Sequence, residues 1–551
     1  MSEFKTSDLF TGKDLRLAWE RVNASVGTDS KDYFGINIYS TNVDKHLGAL
    51  HKQLANDSFE PTRSFKYYEP KKSGTQRTKS VLRISDAIVY QAIADKVAFQ
   101  LYDHLSKTKE HVFGSVLNEN VTKGAELLNE EDPEFYFFEY YVGLYNRFIE
   151  GISKTIDSES VAYKLETDIT GFFDCIPHST LILELMRLGI DKGLLELLAT
   201  CLNSWSGTRD MSTFHVGIPQ GPAASFLFAN IILDGLDQLM LEKGMIYFRF
   251  MDDIRIYSSS ENELLSMLAL MDRYLKGRSL SVNTSKTSIL PVKENESEVD
   301  TLLDSYGIPF EDKTENKIEH DIVIQDQTQL KSSKSNFNII SPDIALKNYL
   351  LAIKLIEDDL LEISTKFESN SLLNPIPKPV IRNFLTLAQR WRITVKAIKS
   401  IQNYSPRQEL IPVWLFGINN IFWKANSMVW NLNLYDSLEN YYFEIEKILS
   451  DFEHFEWVRY QVLNIYGKVI GADKNRQKKA LRDLSKETSP LARLGYYSIL
   501  VESIRNDSQL FESIISHLKQ EKEEYIKESV LNLIHRKHLD ISINSLKEWF
   551  L

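Results

Sequence analysis

The hydrophobic periodicity of the chain changes near residue 340. Before this point, segments that alternate apolar and polar residues, such as VAYKLETDI at 161–169, stand between amphipathic helical segments. After Ser341-Pro342-Asp343, nearly every segment to Leu551 places its apolar residues at the spacing of an α-helix. The sequence therefore predicts a mixed α+β part followed by a large all-α part of about eight to ten helices.

Four regions follow from these patterns. Residues 1–60 predict an amphipathic helical extension, 61–300 a mixed region, 301–340 a charged transition segment rich in Asn, Gln and Ser, and 341–551 the helical region. Helix pairs recurring about every 35 to 45 residues would suit an α-solenoid of HEAT-like repeats. Because no repeated consensus is present, an irregular helical bundle stays an open alternative.

Net charge restricts how the protein meets nucleic acid. The chain has 64 Lys and Arg against 76 Asp and Glu, a net charge of −12, so it does not coat a polyanion by bulk charge. Between residues 61 and 90, however, there are seven basic and two acidic residues. Such a run is usually a solvated surface, but its side chains are also charge-assisted donors for phosphates: Lys71, Lys72, Arg77, Lys79 and Arg83.

Cysteine content and the start of the chain bear on compartment. Two cysteines, Cys175 and Cys201, exclude a disulfide framework or a Cys-rich zinc site and suit a reducing compartment. The N-terminal MSEFKTSDLF lacks the apolar core of a signal peptide, and we find no run approaching the ~18 apolar residues of a membrane span. The sequence therefore predicts a cytoplasmic protein without a membrane partner.

Three aspartates stand where predicted strands end. Asp168 follows the strand at 161–167, and Asp252 and Asp253 lie at the apex of the hairpin MIYFRFMDDIRIYSS at 245–259. Isolated aspartates at such places are most often plain turn residues. Carboxylates that meet at one sheet edge, however, are the hard oxygen ligands that Mg²⁺ prefers, and two such ions about 4 Å apart serve phosphoryl transfer.

Two further motifs favour the metal-site interpretation. The loop GIPQGP at 217–222, before an apolar helix, lets backbone approach a base or sugar closely, and Gln220 supplies an amide. Lys286, in LSVNTSKT at 280–287, is a candidate to protonate a departing pyrophosphate. Taken alone, the loop is explained as a helix start, and Lys286 is explained as a surface lysine.

The ordered series of motifs resembles the core of reverse transcriptases. PKKSGxxR at 70–77 is similar to the fingers motif, DITGFFD at 168–174 to motif A, GIPQGxxxS at 217–225 to motif B and FMDD at 250–253 to the motif C box; the segment of Lys286 resembles motif D more weakly. The resemblance implies that residues 61–300 form the fingers and palm of a right-hand polymerase. It implies RNA-directed DNA polymerase activity.

The resemblance also implies roles for individual residues. Asp168, Asp252 and Asp253 would be catalytic carboxylates that hold Mg²⁺, or Mn²⁺ in its place, with Asp253 partly supportive, and Lys286 would be catalytic. Phe173 would be the aromatic gate that rejects a ribose 2′-hydroxyl and selects dNTPs, although core packing is the plainer explanation for Phe172 and Phe173. The remaining nucleotide-binding candidates are Lys71, Arg77, Arg83 and Gln220. Phe250 replaces the usual Tyr of the motif C box.

The helical region distinguishes among relatives. It resembles neither an RNase H domain nor a basic, Cys/His-containing maturase tail. His178-Ser179-Thr180 after motif A is shared with retron enzymes, which usually end soon after the thumb. The long helical region and AWERVNASVGTDSKDYFG at 18–35 resemble bacterial abortive-infection, AbiK-like reverse transcriptases. That resemblance implies anti-phage defence, homo-oligomers formed through the helical region, and DNA synthesis that is protein-primed or untemplated.

Three alternatives stay open at this stage. In the first, the partner would be an RNA template. In the second, it would be a dedicated noncoding RNA copied as in retrons. Single-stranded DNA would be the product in both. The third, from another functional class of protein, is an inactive palm beside a helical interaction or toxin module.

Aromatic residues of the helical region would stack on bases, although helix packing explains any one of them better: Trp391, Trp414, Trp423, Trp430, Tyr441, Tyr442 and Trp457.

Overall fold

The computed structural model describes residues 9–25, 36, 39–157, 161–207, 209, 214–292, 342–368, 376–471, 473–503 and 508–537. The predicted transition segment at 301–340 lies outside these residues. The chain forms two compact units. The first comprises Met1–Tyr68, Arg77–Val299 and Lys519–Leu551, and the second comprises Glu69–Gln76 and Asp300–Leu518. The C-terminal residues thus group with the first unit, whereas the sequence placed all of 341–551 in the helical region.

The first unit combines helices with two antiparallel sheets. Its strands are β1 Phe65–Pro70, β2 Gln76–Val81, β3 Tyr163–Thr167, β4 Ile246–Phe250, β5 Asp253–Ser258 and β6 Ser288–Pro291. Its helices before residue 300 are α1 Gly12–Ser25, α2 Val43–Ala55, α3 Ile84–Leu105, α4 Tyr141–Asp157, α5 Phe172–Cys175, α6 His178–Arg187, α7 Lys192–Trp205, α8 Ala223–Glu242 and α9 Glu261–Lys276. A 3₁₀ segment covers Glu119–Asn129.

The four-stranded sheet determines where the candidate residues emerge. Its strand order is β4-β5-β3-β6, and the three pairings are antiparallel. Thr167, the last residue of β3, pairs with Ile254 on β5, while Phe250 pairs with Asp253 across the β4–β5 turn. The C-terminal end of β3 therefore lies beside the β4–β5 turn. This arrangement confirms the predicted strand and hairpin.

The apolar residues of 181–202 have the spacing of one continuous buried helix, but this stretch forms two helices. Gly189, with φ of +81°, follows α6 in the left-handed conformation that often ends helices. Asp191 then caps α7 by accepting hydrogen bonds from the backbone N–H groups of Gly193 and Leu194. The apolar residues keep their helical spacing across this break, so the sequence pattern does not reveal it.

Helix α8 crosses the core of the first unit. Within the described residues it is the one helix long and apolar enough to span a membrane, with a mean hydropathy of 1.3 over 18 residues, 67% of which are buried in the protein. Asp234 and Asp237 interrupt its apolar sequence, so the helix contains no continuous apolar run of about 18 residues. A buried core helix meets the same criterion.

The helical region contains ten α-helices among the described residues, within the predicted number. They are α10 Pro342–Glu368, α11 Lys378–Ile401, α12 Ile411–Asn420, α13 Ala425–Leu432, α14 Tyr442–Asp451, α15 Glu456–Ile470, α16 Lys474–Lys486, α17 Pro490–Ser503, α18 Ser508–Gln520 and α19 Glu524–Lys537. Buried aromatic side chains, among them Trp391, Trp414 and Trp457, fill the space between them. These rings pack the core, as the sequence favoured.

The last of these helices, α19, packs on the β1–β2 hairpin of the first unit. The ring of Tyr525 stacks on Phe65 with centroids 4.5 Å apart. Arg83 Nη2 lies 3.2 Å from Glu528 Oε1. Amphipathic periodicity predicts the helix but carries no information about this partner.

Candidate active site

Asp168 lies at the end of β3, where a backbone hydrogen bond and a neighbouring side-chain contact fix it. Its carbonyl accepts a hydrogen bond of 2.8 Å from the N–H of Asn283, and Thr167 Oγ1 lies 2.7 Å from Thr287 Oγ1. These contacts bring Lys286 into the site, where its ammonium contacts Asp168 Oδ2. The other carboxylate oxygen, Asp168 Oδ1, is buried without a hydrogen-bond partner. Such an orphaned oxygen is costly unless it has a ligand.

Asp252 occupies the two-residue turn between β4 and β5. Burial raises the pKa of its carboxyl, and the negative charges of Asp168 and Asp253 raise it further, whereas the positive charge of Arg77 lowers it. The fold therefore brings Asp168 and Arg77 within electrostatic reach of Asp252. Repulsion between nearby carboxylates is relieved by a cation or by a proton.

Asp253 has an arginine of its own strand as a neighbour. Its Oδ1 lies 3.6 Å from Arg255 Nε, and the guanidinium of Arg255 also contacts Glu166 on the paired strand. Arg255 thereby offsets part of the negative charge at the turn. The supporting role expected for Asp253 agrees with this geometry and stays a prediction.

The donor set fits a magnesium ion held partly by substrate. No three His, Cys, Asp or Glu side chains gather into a metal-enclosing cluster in the part of the chain that the structure describes. Mg²⁺, however, is usually bound through one or two carboxylates, with water and substrate phosphates completing its shell. The unpartnered Oδ1 of Asp168 and the adjacent carboxylate of Asp252 are donors of this kind.

The loop of Gly217 to Pro222 is fixed from two sides. Ser80 on β2 donates its N–H to the carbonyl of Gln220 at 2.9 Å, and a Cβ on Gly221 would lie 2.8 Å from the Ser80 carbonyl oxygen. On the other side, His178 Nε2 and Ser206 Oγ each approach the carbonyl of Gly217 to 2.7 Å. Glycine at 221 is therefore needed for the close approach of two backbones.

Burial of His178 determines which form of the ring supports the loop. Desolvation lowers the pKa of its imidazole, so the ring is neutral at pH 7. Nε2 contacts the carbonyl of Gly217, so it carries the proton and donates. His178 belongs to the His-Ser-Thr string noted in the sequence, and its role here is to hold the loop.

Phe172 and Phe173 both lie in the hydrophobic core, with 2% and 7% of their surface exposed. The ring of Phe173 meets Phe226 edge to face at 5.3 Å. Its backbone carbonyl accepts the N–H of Ile218 at 2.9 Å, which places it beside the Gly217 loop. Its role as a gate stays a prediction, and core packing describes both rings.

The basic candidates of the fingers segment are not gathered in one place. Arg77 is exposed and acts on Asp252, whereas Arg83 pairs with Glu528 and Lys71 is exposed at the hairpin tip that groups with the second unit. Lys66 is buried and donates to Ser80 Oγ at 2.8 Å and to the Trp205 carbonyl at 2.7 Å. Burial lowers its pKa to about 8. Lys66 therefore anchors the hairpin.

A buried arginine that sequence reasoning missed supports the turn of Asp252. Arg249 is 1% exposed; its Nε and Nη2 donate to Asp237 on α8 at 2.8 and 2.6 Å. Its Nη1 donates to the carbonyl of Met251 at 2.8 Å and to Asn230 Oδ1 at 2.9 Å. The guanidinium thus connects the turn to a core helix.

The turn itself is strained at Met251. This residue has φ of +57°, a conformation that favours glycine. Gly114 presses against it, since a Cβ on Gly114 would lie 2.2 Å from the Met251 nitrogen, and Asn230 Nδ2 donates to the Gly114 carbonyl at 2.9 Å. In the sequence, the signal for this support of the turn was the seven-residue spacing that places Asn230 and Asp237 on one side of α8.

Phe250, in place of the usual tyrosine, is buried at 7% exposure. Its ring meets Tyr145 and Phe148 of α4 with centroids 5.7 Å away in each case. An aromatic cluster therefore surrounds the ring and fixes the start of the turn by packing.

The comparisons with known proteins concern the same stretch of chain. Residues 70–304 match the family model described as reverse transcriptase (RNA-dependent DNA polymerase). The chain is 25% identical over 232 residues to the COX1/OXI3 intron 2 protein of Saccharomyces cerevisiae. The aligned stretch covers 42% of this chain and 24% of that protein. The chain thus spans about a quarter of the length of this curated relative. Residues 70–304 form a reverse transcriptase domain, the domain of RNA-directed DNA polymerases.

The solved structures that match this chain include two yeast telomerases. The apo telomerase of Candida tropicalis has a TM-score of 0.33 at 13% identity, over 78% of this chain and 75% of that one. The telomerase of Candida albicans in complex with a fragment of telomeric RNA has a TM-score of 0.31 at 11% identity, over 78% and 71%. The domain assignment rests on the family match.

We expect Arg249→Lys to slow nucleotide incorporation without weakening substrate binding. Lysine keeps the charge opposite Asp237 but cannot also hold the Met251 carbonyl, and a small misplacement of Asp252 should lower kcat about 10- to 100-fold with little change in KM. Adding Met251→Gly should recover part of the loss, because glycine adopts the turn conformation without strain. Steady-state kinetics checks both.

Arg187→Lys, an exposed arginine on α6, is the matched control and should leave kcat unchanged. If Arg249→Lys lowers the melting temperature while kcat per folded molecule stays at the wild-type value, Arg249 does not position the turn.

Proposed function

We propose that the protein is an RNA-directed DNA polymerase that adds dNTPs to a DNA end at the site of Asp168 and Asp252. One observation carries the proposal. Two carboxylates far apart in sequence lie close enough that the charge of Asp168 raises the pKa of Asp252, at the edge of a sheet in a domain that matches reverse transcriptases. Such a pair suits a phosphoryl-transfer centre better than a structural turn.

Asp168 and Asp252 would hold Mg²⁺, with Mn²⁺ as a substitute and Asp253 in support. When bound, the ion would polarise a phosphoryl oxygen and stabilise the charge on the leaving pyrophosphate. The chain's own residues would orient the substrate and supply a proton to the leaving group. The Lys286 side chain contacts Asp168 and is 66% exposed, so a leaving group can reach its Nζ.

The remaining candidates would bind the nucleotide and its template. Arg77 is exposed and near Asp252, a suitable place to contact a triphosphate. Gln220 lies in the Gly217–Pro222 loop before α8, where its carbonyl accepts the Ser80 N–H, and its side chain would touch the nascent base pair. Lys71 and Arg83 would contribute phosphate contacts, Arg83 only after it leaves Glu528.

Asp168→Asn and Asp252→Asn should each lower dNTP incorporation by roughly a thousandfold, because several kcal/mol of transition-state stabilisation depend on the anionic oxygens. Incorporation of labelled dNTP is measured with and without a primed RNA template, so that untemplated synthesis is also detected. Asp272→Asn is the matched control, since Asp272 pairs with Lys276 on the surface of α9. Equal incorporation by wild type and Asp252→Asn would sink the proposal.

If Phe173 is the gate, Phe173→Val should raise incorporation of rNTPs relative to dNTPs by about 10- to 100-fold, the discrimination expected from removing one steric contact. Phe172→Val removes the same volume from the neighbouring ring and should leave the ratio unchanged. Competing ribo- and deoxynucleotides in one reaction give the ratio directly. If both variants merely reduce stability and leave the ratio at the wild-type value, Phe173 is a core residue only.

We further propose a cytoplasmic, AbiK-like role in bacterial defence against phage, with homo-oligomers formed through a HEAT-like helical region. This rests on the sequence at 18–35 and on the long helical region after the polymerase domain. Protection of cells from phage by wild type but not by Asp252→Asn would support it. Protection by both would favour a helical interaction or toxin protein, and a defined cDNA copurifying with the protein would favour retron-like synthesis on a noncoding RNA.

A further inference from the structure

A basic segment of the helical region stands out against the acidic chain. Between residues 376 and 435 there are eight Lys or Arg residues and one acid, Glu409, although acidic residues outnumber basic ones in the whole chain. Helix α11 carries six of the eight and no acid. They are Lys378, Arg382, Arg390, Arg392, Lys396 and Lys399.

Five of these six basic residues follow one side of α11. Positions 378, 382, 392, 396 and 399 recur at intervals of three, four and ten residues, which brings them onto a single side of a helix. The helix has 24 residues and is therefore about 36 Å long. Its opposite side is buried, with Phe384, Trp391 and Ile398 at 0% exposure. The core thus fixes the orientation of the basic side.

An exposed tryptophan lies beside this row. Trp430 on α13 is 46% exposed, whereas Trp391 and Trp414 are fully buried. The guanidinium of Arg392 lies 4.8 Å from the centroid of the Trp430 ring, and its Nη1 donates to the Ser427 carbonyl at 3.4 Å. The arginine therefore holds the indole in place while much of the ring stays open to solvent.

Ordinary surface chemistry does not explain the row. Solvated helix faces usually mix both signs, because like charges one turn apart repel each other. Lys399 has a nearby acid, Asp436 at 3.8 Å, and donates to the Leu434 carbonyl at 2.6 Å. The excess of one sign is instead the complement of a polyanion.

We propose that the basic side of α11, together with Trp430, binds a single strand of nucleic acid. Phosphates would lie along Lys378, Arg392, Lys396 and Lys399, and one unpaired base would stack on Trp430. This combination of a cationic track and an open aromatic ring is how proteins hold single strands without reading sequence. A duplex stacks its bases internally, so it leaves no face for the indole. The inference rests on the proposed function for its partner, the RNA template or the DNA product.

Binding can be measured without catalysis, so failure of the polymerase proposal is distinguishable from failure of this one. The full-length protein carrying Asp252→Asn is titrated against labelled oligo(dT) and oligo(rU) by fluorescence anisotropy at several salt concentrations. The two oligonucleotides separate a DNA strand from an RNA strand. An unlabelled duplex serves as competitor.

Neutralising the row should weaken binding mainly at low salt. The combined variant Lys378→Gln, Lys396→Gln, Lys399→Gln should reduce the slope of log K against log salt by about 2, at about 0.7 per lost phosphate contact. Trp430→Ala should weaken binding about 5- to 150-fold with the slope unchanged, the loss expected for one stacked base. Lys447→Gln, an exposed lysine on α14, makes one of the same charge changes and should alter neither quantity.

Three results would overturn the proposal. One is that the triple variant and Trp430→Ala bind both oligonucleotides as Lys447→Gln does. Another is that the duplex displaces the label better than an unlabelled single strand of equal length. The third is that helix content and melting temperature fall in Trp430→Ala together with affinity, while the triple variant, with intact folding, keeps the wild-type slope.

Discussion

The ion pair of Arg249 with Asp237 supports the turn on which the rest of the site depends. Burying two charges is costly and is tolerated only when the partners and their remaining polar atoms are satisfied. Here the fork of Arg249 contacts both oxygens of Asp237, and Tyr247 donates its hydroxyl to the same carboxylate at 2.7 Å. Burial raises the pKa of the Asp237 carboxyl, and the positive charge of Arg249 acts in the opposite direction.

This anchoring explains why a strained turn persists. Met251 has φ of +57°, and non-glycine residues keep such angles only where surrounding structure determines them. Arg249 fixes its carbonyl from the α8 side, and Gly114 closes on its nitrogen from the other. Because β5 begins at Asp253 and pairs with β3, the same turn sets the position of Asp252 relative to Asp168. The site geometry therefore depends on a core helix as much as on the sheet.

Local patterns in the sequence predicted the parts of the site that are contiguous along the chain. The strand before Asp168, the hairpin around Asp252 and the glycine-rich loop each carry period or turn signals within a few residues, and all three are present. The Arg249–Asp237 pair could not be predicted, since a buried arginine in an aromatic strand has no local signature. The basic row of α11 was missed for a different reason, because acidic helices elsewhere cancel it when charge is summed over the helical region.

A net charge of −12 is compatible with a nucleic-acid enzyme because electrostatic forces in water are short-ranged. At physiological ionic strength, charges beyond roughly 8 Å are largely screened, so a strand senses the nearest groups and not the total. Arg77 near Asp252 and the row on α11 are such groups. The carboxylates of the site work in the opposite sense: they repel one another and any phosphate until a cation intervenes. Under the proposed function, phosphate would be attracted at the basic surfaces and would reach the carboxylates together with a metal ion.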